Sequence, residues 1–392
     1  LHVDDAWIGG TGSNGIKAMN GGLIEMYNGY YSGGPLKIRS GGTAQLTNLS
    51  VNDAEVSVSS STQEAILVIE GGQIHQSDIC LRAQDEQAIL DIRLTSINAC
   101  GIVGIWATSA QLNLENIILG SQTSTGVWVQ SSSGNITGLN ATQHDGEGPA
   151  LKVEMQDGTL EIRGLDLGAG SGFAALTVSE SEGLQITDSK IHGAPGILIE
   201  NSAILLQRVD LFGTGVGTGA TIFGARNSAP VQLIDCDIDN YILALRLEGG
   251  INDLDSMPVE ITDSHLHAQT SVESNMLAFT INGGVVDGDF DLIGIEKPWV
   301  ASVIDIEPSS VNITGDARLV VGHQWLVNIT DTDGNPIPNY SLSVEIPEFD
   351  SVIGPISHFW GDSPEYVSMY HRVYNSQGMM ETQFGEWSII AD

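Results

Sequence analysis

The sequence predicts an all-β chain: a right-handed single-stranded parallel β-helix, which is a solenoid of stacked coils, followed by a small β-sandwich. Three observations favour this fold class. A short apolar motif recurs eleven times, its copies are 18 to 31 residues apart, and 47 glycines are scattered without a triplet period. The glycine distribution excludes collagen and indicates many turns. No amphipathic helical period of convincing length is present.

The recurring motif is apolar-x-apolar-x-x-small/apolar-x-apolar, as in Leu184-Gln-Ile186-Thr-Asp-Ser-Lys-Ile191. Alternation sends one side chain inward and the next outward, and only stacked coils bury their apolar sides. An antiparallel β-sandwich is the rival fold, but eleven consecutive units of near-constant length argue against it. The second apolar positions form a first ladder of Leu46, Ile74, Ile92, Leu114, Ile136, Ile162, Ile186, Leu206, Leu233, Ile261 and Leu292. A second ladder contains Val127-x-Val129, Leu151-x-Val153, Leu176-x-Val178, Ile197-x-Ile199, Leu245-x-Leu247 and Phe279-x-Ile281.

These units resemble those of the pectate-lyase-like superfamily, and more closely the right-handed parallel β-helix repeats of NosD-like surface proteins. The resemblance covers about residues 20–315 and concerns repeat architecture only. The superfamily includes lyases, glycoside hydrolases, phage tailspikes, adhesins and surface-layer components, so it implies no single function. We predict an N-terminal segment or cap at 1–19, the solenoid at 20–316 and an Ig-like β-sandwich at 317–392.

Beyond Ile313 the pattern changes to strand, turn and strand. The segment from Trp325 to Val344 contains Asp333-Gly334, which is a turn signal of β-hairpins. It is similar to the opening hairpin of the Ig-like and carboxypeptidase-regulatory-like sandwiches of bacterial and archaeal surface proteins. This resemblance implies a spacer or an attachment module.

Charge narrows the range of partners. The chain has 49 acidic and 14 basic residues and a formal net charge of −35, which disfavours nucleic acids and anionic lipids. Polyanionic polysaccharides would need bridging metal ions to bind such an acidic surface.

The sequence gives no sign of a membrane segment. No run of 18 apolar residues is present, and the first residues lack the pattern of a signal peptide. These features argue against direct membrane insertion. We expect an extracellular or cell-surface protein, as the resemblance to surface proteins implies.

The three cysteines do not indicate a disulfide scaffold, whereas the sequons fit a surface location. Cys80, Cys100 and Cys236 match no zinc motif, and Cys80 could pair with Cys100, which lies about one repeat away. Six Asn-x-Ser/Thr triplets are a mild excess over chance and are consistent with a glycosylated surface protein. They begin at Asn48, Asn135, Asn140, Asn312, Asn328 and Asn339.

The strongest candidate for chemistry is a group of acidic and histidine residues at equal offsets from the motif. Stacked coils hold outward side chains about 5 Å apart, so such groups converge on the outer surface. The candidate cation ligands are Asp235, Asp237, Asp239, Asp263, His265 and His267. Ca²⁺ is the expected cation, and the two histidines make zinc the alternative. Two other interpretations stay open: an ordinary solvated acidic face, and a catalytic site formed by Lys190, His265 and Asp237.

We expect a non-catalytic structural or adhesive protein that assembles with like subunits or binds glycans. The alternative is a polysaccharide lyase or glycoside hydrolase that acts on the outer face of the solenoid. The paired-Asp and Gly-His-Gly signatures of polygalacturonases and the arginine-rich face of pectate lyases are absent from the sequence. Trp128 is predicted to point outward and the orientation of Trp106 is open, with packing favoured over sugar stacking for both.

Overall fold

The structure is a computed structural model that describes most of the chain. The described residues are 1–10, 15–121, 124–157, 159–169, 172–224, 230–249, 259–328, 330–336, 340–344, 358–361, 365–381 and 387–391. These residues form strands and turns and contain no helix. The described part of the chain therefore has no helix that is long and apolar enough to cross a membrane.

The described strands number 36 and follow one another with short connections. The first eighteen are β1 (His2–Asp4), β2 (Trp7–Gly10), β3 (Ile16–Ala18), β4 (Leu23–Tyr27), β5 (Tyr30–Gly33), β6 (Leu36–Arg39), β7 (Thr43–Asn52), β8 (Val56–Ser59), β9 (Ala65–His75), β10 (Ile79–Gln84), β11 (Ala88–Arg93), β12 (Ser96–Asn98), β13 (Val103–Thr108), β14 (Gln111–Glu115), β15 (Ile118–Leu119), β16 (Thr125–Gln130), β17 (Ser133–Thr137) and β18 (Asn140–Ala141). The others are β19 (Leu151–Glu154), β20 (Leu160–Arg163), β21 (Asp166–Gly168), β22 (Leu176–Ser179), β23 (Glu182–His192), β24 (Ile197–Glu200), β25 (Ala203–Phe212), β26 (Thr218–Phe223), β27 (Gln232–Ile234), β28 (Asp237–Glu248), β29 (Val259–Asn275), β30 (Phe279–Ile304), β31 (Ser310–Val327), β32 (Tyr340–Val344), β33 (His358–Gly361), β34 (Glu365–Asn375), β35 (Gly378–Glu381) and β36 (Trp387–Ala391).

Equivalent strands of successive coils pair in parallel and form three long sheets. The first sheet contains β11, β14, β17 and β20, the second contains β12, β15, β18 and β21, and the third contains β10, β13, β16 and β19. Longer strands such as β23 and β29 turn a corner and belong to more than one sheet. The chain is thus a parallel β-solenoid of about 12 turns, which confirms the predicted fold class.

The interior of the solenoid is an apolar ladder. Five ladder residues of the first sheet pair consecutively from coil to coil and are at most 1% exposed: Ile162, Ile186, Leu206, Leu233 and Ile261. Their inward stacking confirms the ladder that the motif predicts, because each coil covers the apolar side of its neighbour.

Two positions of the predicted first ladder are wrong. Ile69, and not Ile74, pairs with Leu46 and Ile92, whereas Ile74 lies in the second sheet. The sheets carry the same inward alternation, so the pattern alone does not identify the sheet where coil length varies.

The same error occurs near the other end of the solenoid. Ile281, and not Leu292, follows Ile261 in the first sheet, and Leu292 lies in the third sheet beside Ser274. The pair Phe279-x-Ile281 therefore belongs to the first ladder and not to the second.

The corner between the first and second sheets fixes the direction of the next strand. At this corner one residue in each coil adopts the left-handed backbone conformation. The non-glycine members have φ between 47° and 54°: Asp5, Asn28, Asn48, Leu94, Asn116, Asp188, Arg208, Asp235 and Asp263. Gly71, Gly138, Gly164 and Gly283 occupy the same corner in other coils. Gly, Asn and Asp tolerate this conformation best, which explains why such residues recur two positions after the second apolar residue of the motif.

The two ends of the chain complete the solenoid in different ways. Strands β1, β2 and β3 pair in parallel with β4, β5 and β6, so the predicted segment or cap at 1–19 contributes the strands of a first coil. Parallel pairing of β30 and β31 continues to Ile304 and Gly322, beyond the predicted boundary at 316/317. Strand β34 then pairs antiparallel with β31, and β32, β33 and β36 form a separate antiparallel sheet. The division into solenoid and Ig-like sandwich stays a prediction.

The cysteines are buried. Cys80 and Cys100, 20 residues apart in sequence, form a disulfide that joins neighbouring coils. Cys236 is a free thiol, and its burial raises its pKa to about 11. It is therefore a protonated, inert member of the core.

Candidate cation-binding site

The second sheet carries two outward columns of polar residues. In one column Lys190, Asp210, Asp237 and His265 occupy paired positions on successive coils. In the column two residues further along, His192, Phe212, Asp239, His267 and Asp287 are aligned in the same way. Parallel pairing places neighbours in each column about 5 Å apart, so their polar groups can act together.

Asp237, His265 and His267 form the tightest group in these columns. Each offers a ligand atom, and the three atoms lie within 4.8 Å of one another. His265 and His267 flank the fully buried Leu266 on β29, so both imidazoles point outward and meet edge to face at 6.1 Å. Asp237 lies on the preceding coil and pairs with His265. The group follows directly from the alternation of β29 and from its register with β28.

The electrostatic surroundings of the group are acidic. Asp237 has an Oδ1 atom that is buried and makes no hydrogen bond within the described part of the chain. The Nδ1 atom of His267 lies 3.8 Å from the Asp287 carboxylate, and Asp239 pairs with His267. An uncompensated buried carboxylate oxygen beside two imidazoles favours occupation by a cation.

Two imidazole nitrogens and one carboxylate suit particular metals. Imidazole is a ligand of zinc and other first-row transition metals, whereas Ca²⁺ takes six to eight oxygen ligands. His265 is exposed, so water or another molecule can complete the coordination. The donor set therefore fits Zn²⁺ better than the Ca²⁺ that the sequence led us to expect.

The remaining predicted ligands lie around this group. Asp235 and Asp263 are the left-handed corner residues that precede Asp237 and His265, and both are exposed. Asp239 is half-buried in the neighbouring column and does not belong to the group of three ligand atoms. The structure therefore brings together three of the six candidate ligands.

Corner residues elsewhere make their own ion pairs. Arg208 donates two hydrogen bonds to Asp188, of 2.5 and 3.1 Å, and holds the pKa of that carboxyl below its usual range. The same corner in the next two coils carries Asp235 and Asp263 without an ion pair among the described residues.

Of the three candidate catalytic residues, Asp237 and His265 lie together and Lys190 does not join them. Lys190 is separated from Asp237 by a whole coil, since Lys190 pairs with Asp210 and Asp210 pairs with Asp237. Two inter-strand steps correspond to about 10 Å along the column, which is beyond direct proton transfer between the two side chains. Lys190 thus lies apart from the histidine group.

The third sheet carries an outward stack that sequence reasoning identified only in part. Trp106 and Trp128 occupy paired positions and stack with ring centroids 5.4 Å apart. Arg82 lies over the Trp106 ring at 4.9 Å and Lys152 lies over Trp128 at 4.5 Å. Trp128 points outward as predicted, and the structure shows the same for Trp106. The two cations cover the outer ring faces, so the indoles are packed and not available for stacking on a sugar.

A second group of metal-binding side chains had no signal in the sequence. Glu307, His323 and His371 come together near the end of the solenoid, with ligand atoms within 4.8 Å of one another. His323 and His371 are 48 residues apart in a region outside the repeat pattern. Only the antiparallel pairing of β31 with β34 shows that they meet.

Five of the six sequons lie in the described part of the chain. Asn48, Asn135, Asn312 and Asn328 are exposed, and Asn140 is half-buried. Asn339 lies outside the described residues.

Comparison with known proteins identifies no family for this chain. No known protein family matches the sequence, and no curated protein sequence is significantly similar to it. The A-module of the Azotobacter vinelandii mannuronan C-5 epimerase AlgE4 is 11% identical, covers 75% of this chain and 91% of its own, and gives a TM-score of 0.35. A TibA fragment hyper-glycosylated by TibC is 11% identical, covers 81% of this chain and 98% of its own, and gives a TM-score of 0.31. At this level of similarity we base no functional argument on either protein.

Proposed function

We propose that this protein is an extracellular or cell-surface structural component, a non-catalytic β-solenoid that binds a divalent cation on its outer surface. The observation that carries the proposal is the convergence of Asp237, His265 and His267 around a buried carboxylate oxygen that makes no hydrogen bond to any described residue. The site is open to solvent, because His265 is exposed. A bound cation there keeps coordination positions for a glycan oxygen or for a group of another subunit.

The disulfide and the sequons support an extracellular location. Disulfides persist in oxidising compartments, and Cys80–Cys100 staples two neighbouring coils. Four of the described sequon asparagines are exposed and so are accessible to glycosylation. A net charge of −35 keeps such a surface soluble and attracts divalent cations.

The separation of the acid–base candidates supports a role without turnover. Lys190 is two coils away from Asp237 in the same column. Among the described residues, no lysine therefore lies close enough to the histidine group to act with it as a general acid or base. The Trp106–Trp128 stack is covered by Arg82 and Lys152, which removes the most evident aromatic platform for a sugar chain.

Zinc content after equilibrium dialysis tests the cation site. Asp237→Asn should lose one equivalent of zinc per chain relative to the wild type, because it removes the anionic ligand while preserving side-chain shape. Asp239→Asn is the matched control and should lose none. Equal zinc content in wild type and Asp237→Asn would contradict the site.

Polysaccharide turnover tests the non-catalytic part. The wild-type protein should release no new reducing ends or unsaturated products from a panel of acidic and neutral polysaccharides. Release that disappears in Lys190→Ala or His265→Ala would overturn this part of the proposal and establish a lyase or hydrolase.

A further inference from the structure

The end of the solenoid carries a group of ligand atoms that is separate from the second sheet. Glu307 lies in the connection before β31, His323 lies within β31, and His371 lies within β34. Glu307 and His323 lie close together in the sequence, and the antiparallel pairing of β31 with β34 brings His371 to them.

The geometry of the group is compact. The imidazoles of His323 and His371 stack nearly parallel, with centroids 4.6 Å apart and planes inclined by 7°. The Nε2 atom of His371 lies 3.8 Å from Oε1 of Glu307. A tetrahedral zinc ion with ligands at about 2.0–2.1 Å separates its ligand atoms by about 3.4 Å, so small side-chain rotations suffice to close the site.

A β-bulge brings His371 to this position. Val321 pairs with Arg372 and Gly322 pairs with Tyr370, which leaves His371 as the extra residue of β34. A bulge interrupts the alternation of a strand and redirects one side chain. Its location at the one histidine of β34 is an independent indication that the backbone is arranged around this side chain.

Neighbouring groups orient the ligands. The Nδ1 atom of His323 lies 3.2 Å from Oδ1 of Asp305, a contact that leaves Nε2 of His323 for a metal ion. Arg372 donates a 2.6 Å hydrogen bond to Oε2 of Glu307 and so fixes the carboxylate with Oε1 towards His371. Such carboxylate–histidine pairs and anchored carboxylates are typical around metal ligands.

We propose that Glu307, His323 and His371 bind Zn²⁺, which fastens the C-terminal strand β34 to the last coil of the solenoid. The Glu307 side chain is 57% exposed, so a water molecule completes the tetrahedral coordination. Because the ligands come from three segments, the bound ion opposes separation of β34 from β31. Zinc is preferred to calcium because two of the three ligands are imidazole nitrogens.

Hydrogen exchange of β34 with and without zinc tests this site in the full chain. Zinc should slow exchange of the amides at 365–375 at least tenfold in the wild type and in Asp237→Asn. The protection should be lost in His371→Ala and in Glu307→Gln, and His192→Ala is the matched control that should keep it. Glu307 is exposed, so Glu307→Gln removes a ligand without disturbing the core.

The outcomes separate this site from the one at Asp237. Zinc-dependent protection that persists in both His371→Ala and Glu307→Gln, or its absence from the wild type, would overturn the proposal. Loss of one zinc equivalent in Glu307→Gln together with unchanged zinc in Asp237→Asn would support this site and contradict the other.

Discussion

At the scale of single residues, backbone conformation at one corner determines where the polar side chains point. Asp235 and Asp263 adopt φ of 52° and 49°, and the strand segments that follow them present Asp237 and His265 outward. The repeat spacing was sufficient to predict that these residues form columns. The spacing did not predict that Asp235 and Asp263 lie apart from the ligand group, because the motif gives no information about the backbone angle φ.

Leu94 is an unfavourable residue at this corner, and its replacement should stabilise the protein. It adopts φ 53° and is 64% exposed, so it bears the cost of the left-handed conformation without gaining burial. Leu94→Asn should raise the free energy of unfolding by about 1 kcal/mol, since Asn tolerates this region. Ile118→Asn is the control, because Ile118 is 56% exposed in strand β15. A melting temperature for Leu94→Asn at or below that of the wild type would refute the explanation.

Leu233 tests the apolar ladder at the same scale. Its side chain is fully buried between Leu206 and Ile261. Leu233→Asp should lower the free energy of unfolding by several kcal/mol, because it places an unpaired carboxylate in the core. Gln185→Asp is an outward control on the same sheet and should change stability by less than about 0.5 kcal/mol. Denaturant unfolding of the two variants measures the difference, and similar midpoints would contradict the ladder.

At the scale of elements, sequence periodicity predicted which residues face inward but not which sheet they join. Ile74 and Leu292 have the correct inward orientation and belong to neighbouring sheets. The reason is that all three sheets alternate in the same way and coil lengths vary. The bulge at His371 was likewise invisible, since it depends on the pairing of β34 with β31.

The disulfide Cys80–Cys100 is a covalent link between two neighbouring coils. Removing both cysteines with Cys80→Ala and Cys100→Ala should cost about 3 kcal/mol, which is the loop-closure value for a separation of 20 residues. Thermal melting of this double variant measures the loss, and Cys236→Ala is the single-site control for loss of a buried sulfur. If the double variant melted like Cys236→Ala, the bond would contribute no more than side-chain packing.

The stack of Trp106 and Trp128 should contribute a coupling of its own. Aromatic pairs in contact are coupled by about 0.5–1.5 kcal/mol beyond their burial. A double-mutant cycle with Trp106→Ala and Trp128→Ala in chemical denaturation measures this value. Additive effects of the two substitutions would show that the rings do not stabilise each other.

At the scale of the whole molecule, the repeated coil explains both the fold and the arrangement of charge. Equal offsets in the sequence become columns on the surface, and columns of like charge attract cations in a chain of net charge −35. The repeat pattern therefore predicted an acidic outer surface with histidines near residue 265. The choice of Asp237, His265 and His267 from a larger set, and the change from calcium to zinc, required the register of β28 and β29.

The central claim is that the stacked coils assemble a cation site from Asp237, His265 and His267. The most direct test is anomalous diffraction at the zinc edge from crystals grown with zinc. We expect a peak within about 2.0–2.2 Å of one nitrogen of His265, one nitrogen of His267 and a carboxylate oxygen of Asp237. A map without a peak at these residues, at zinc concentrations that occupy other sites on the protein, would contradict it.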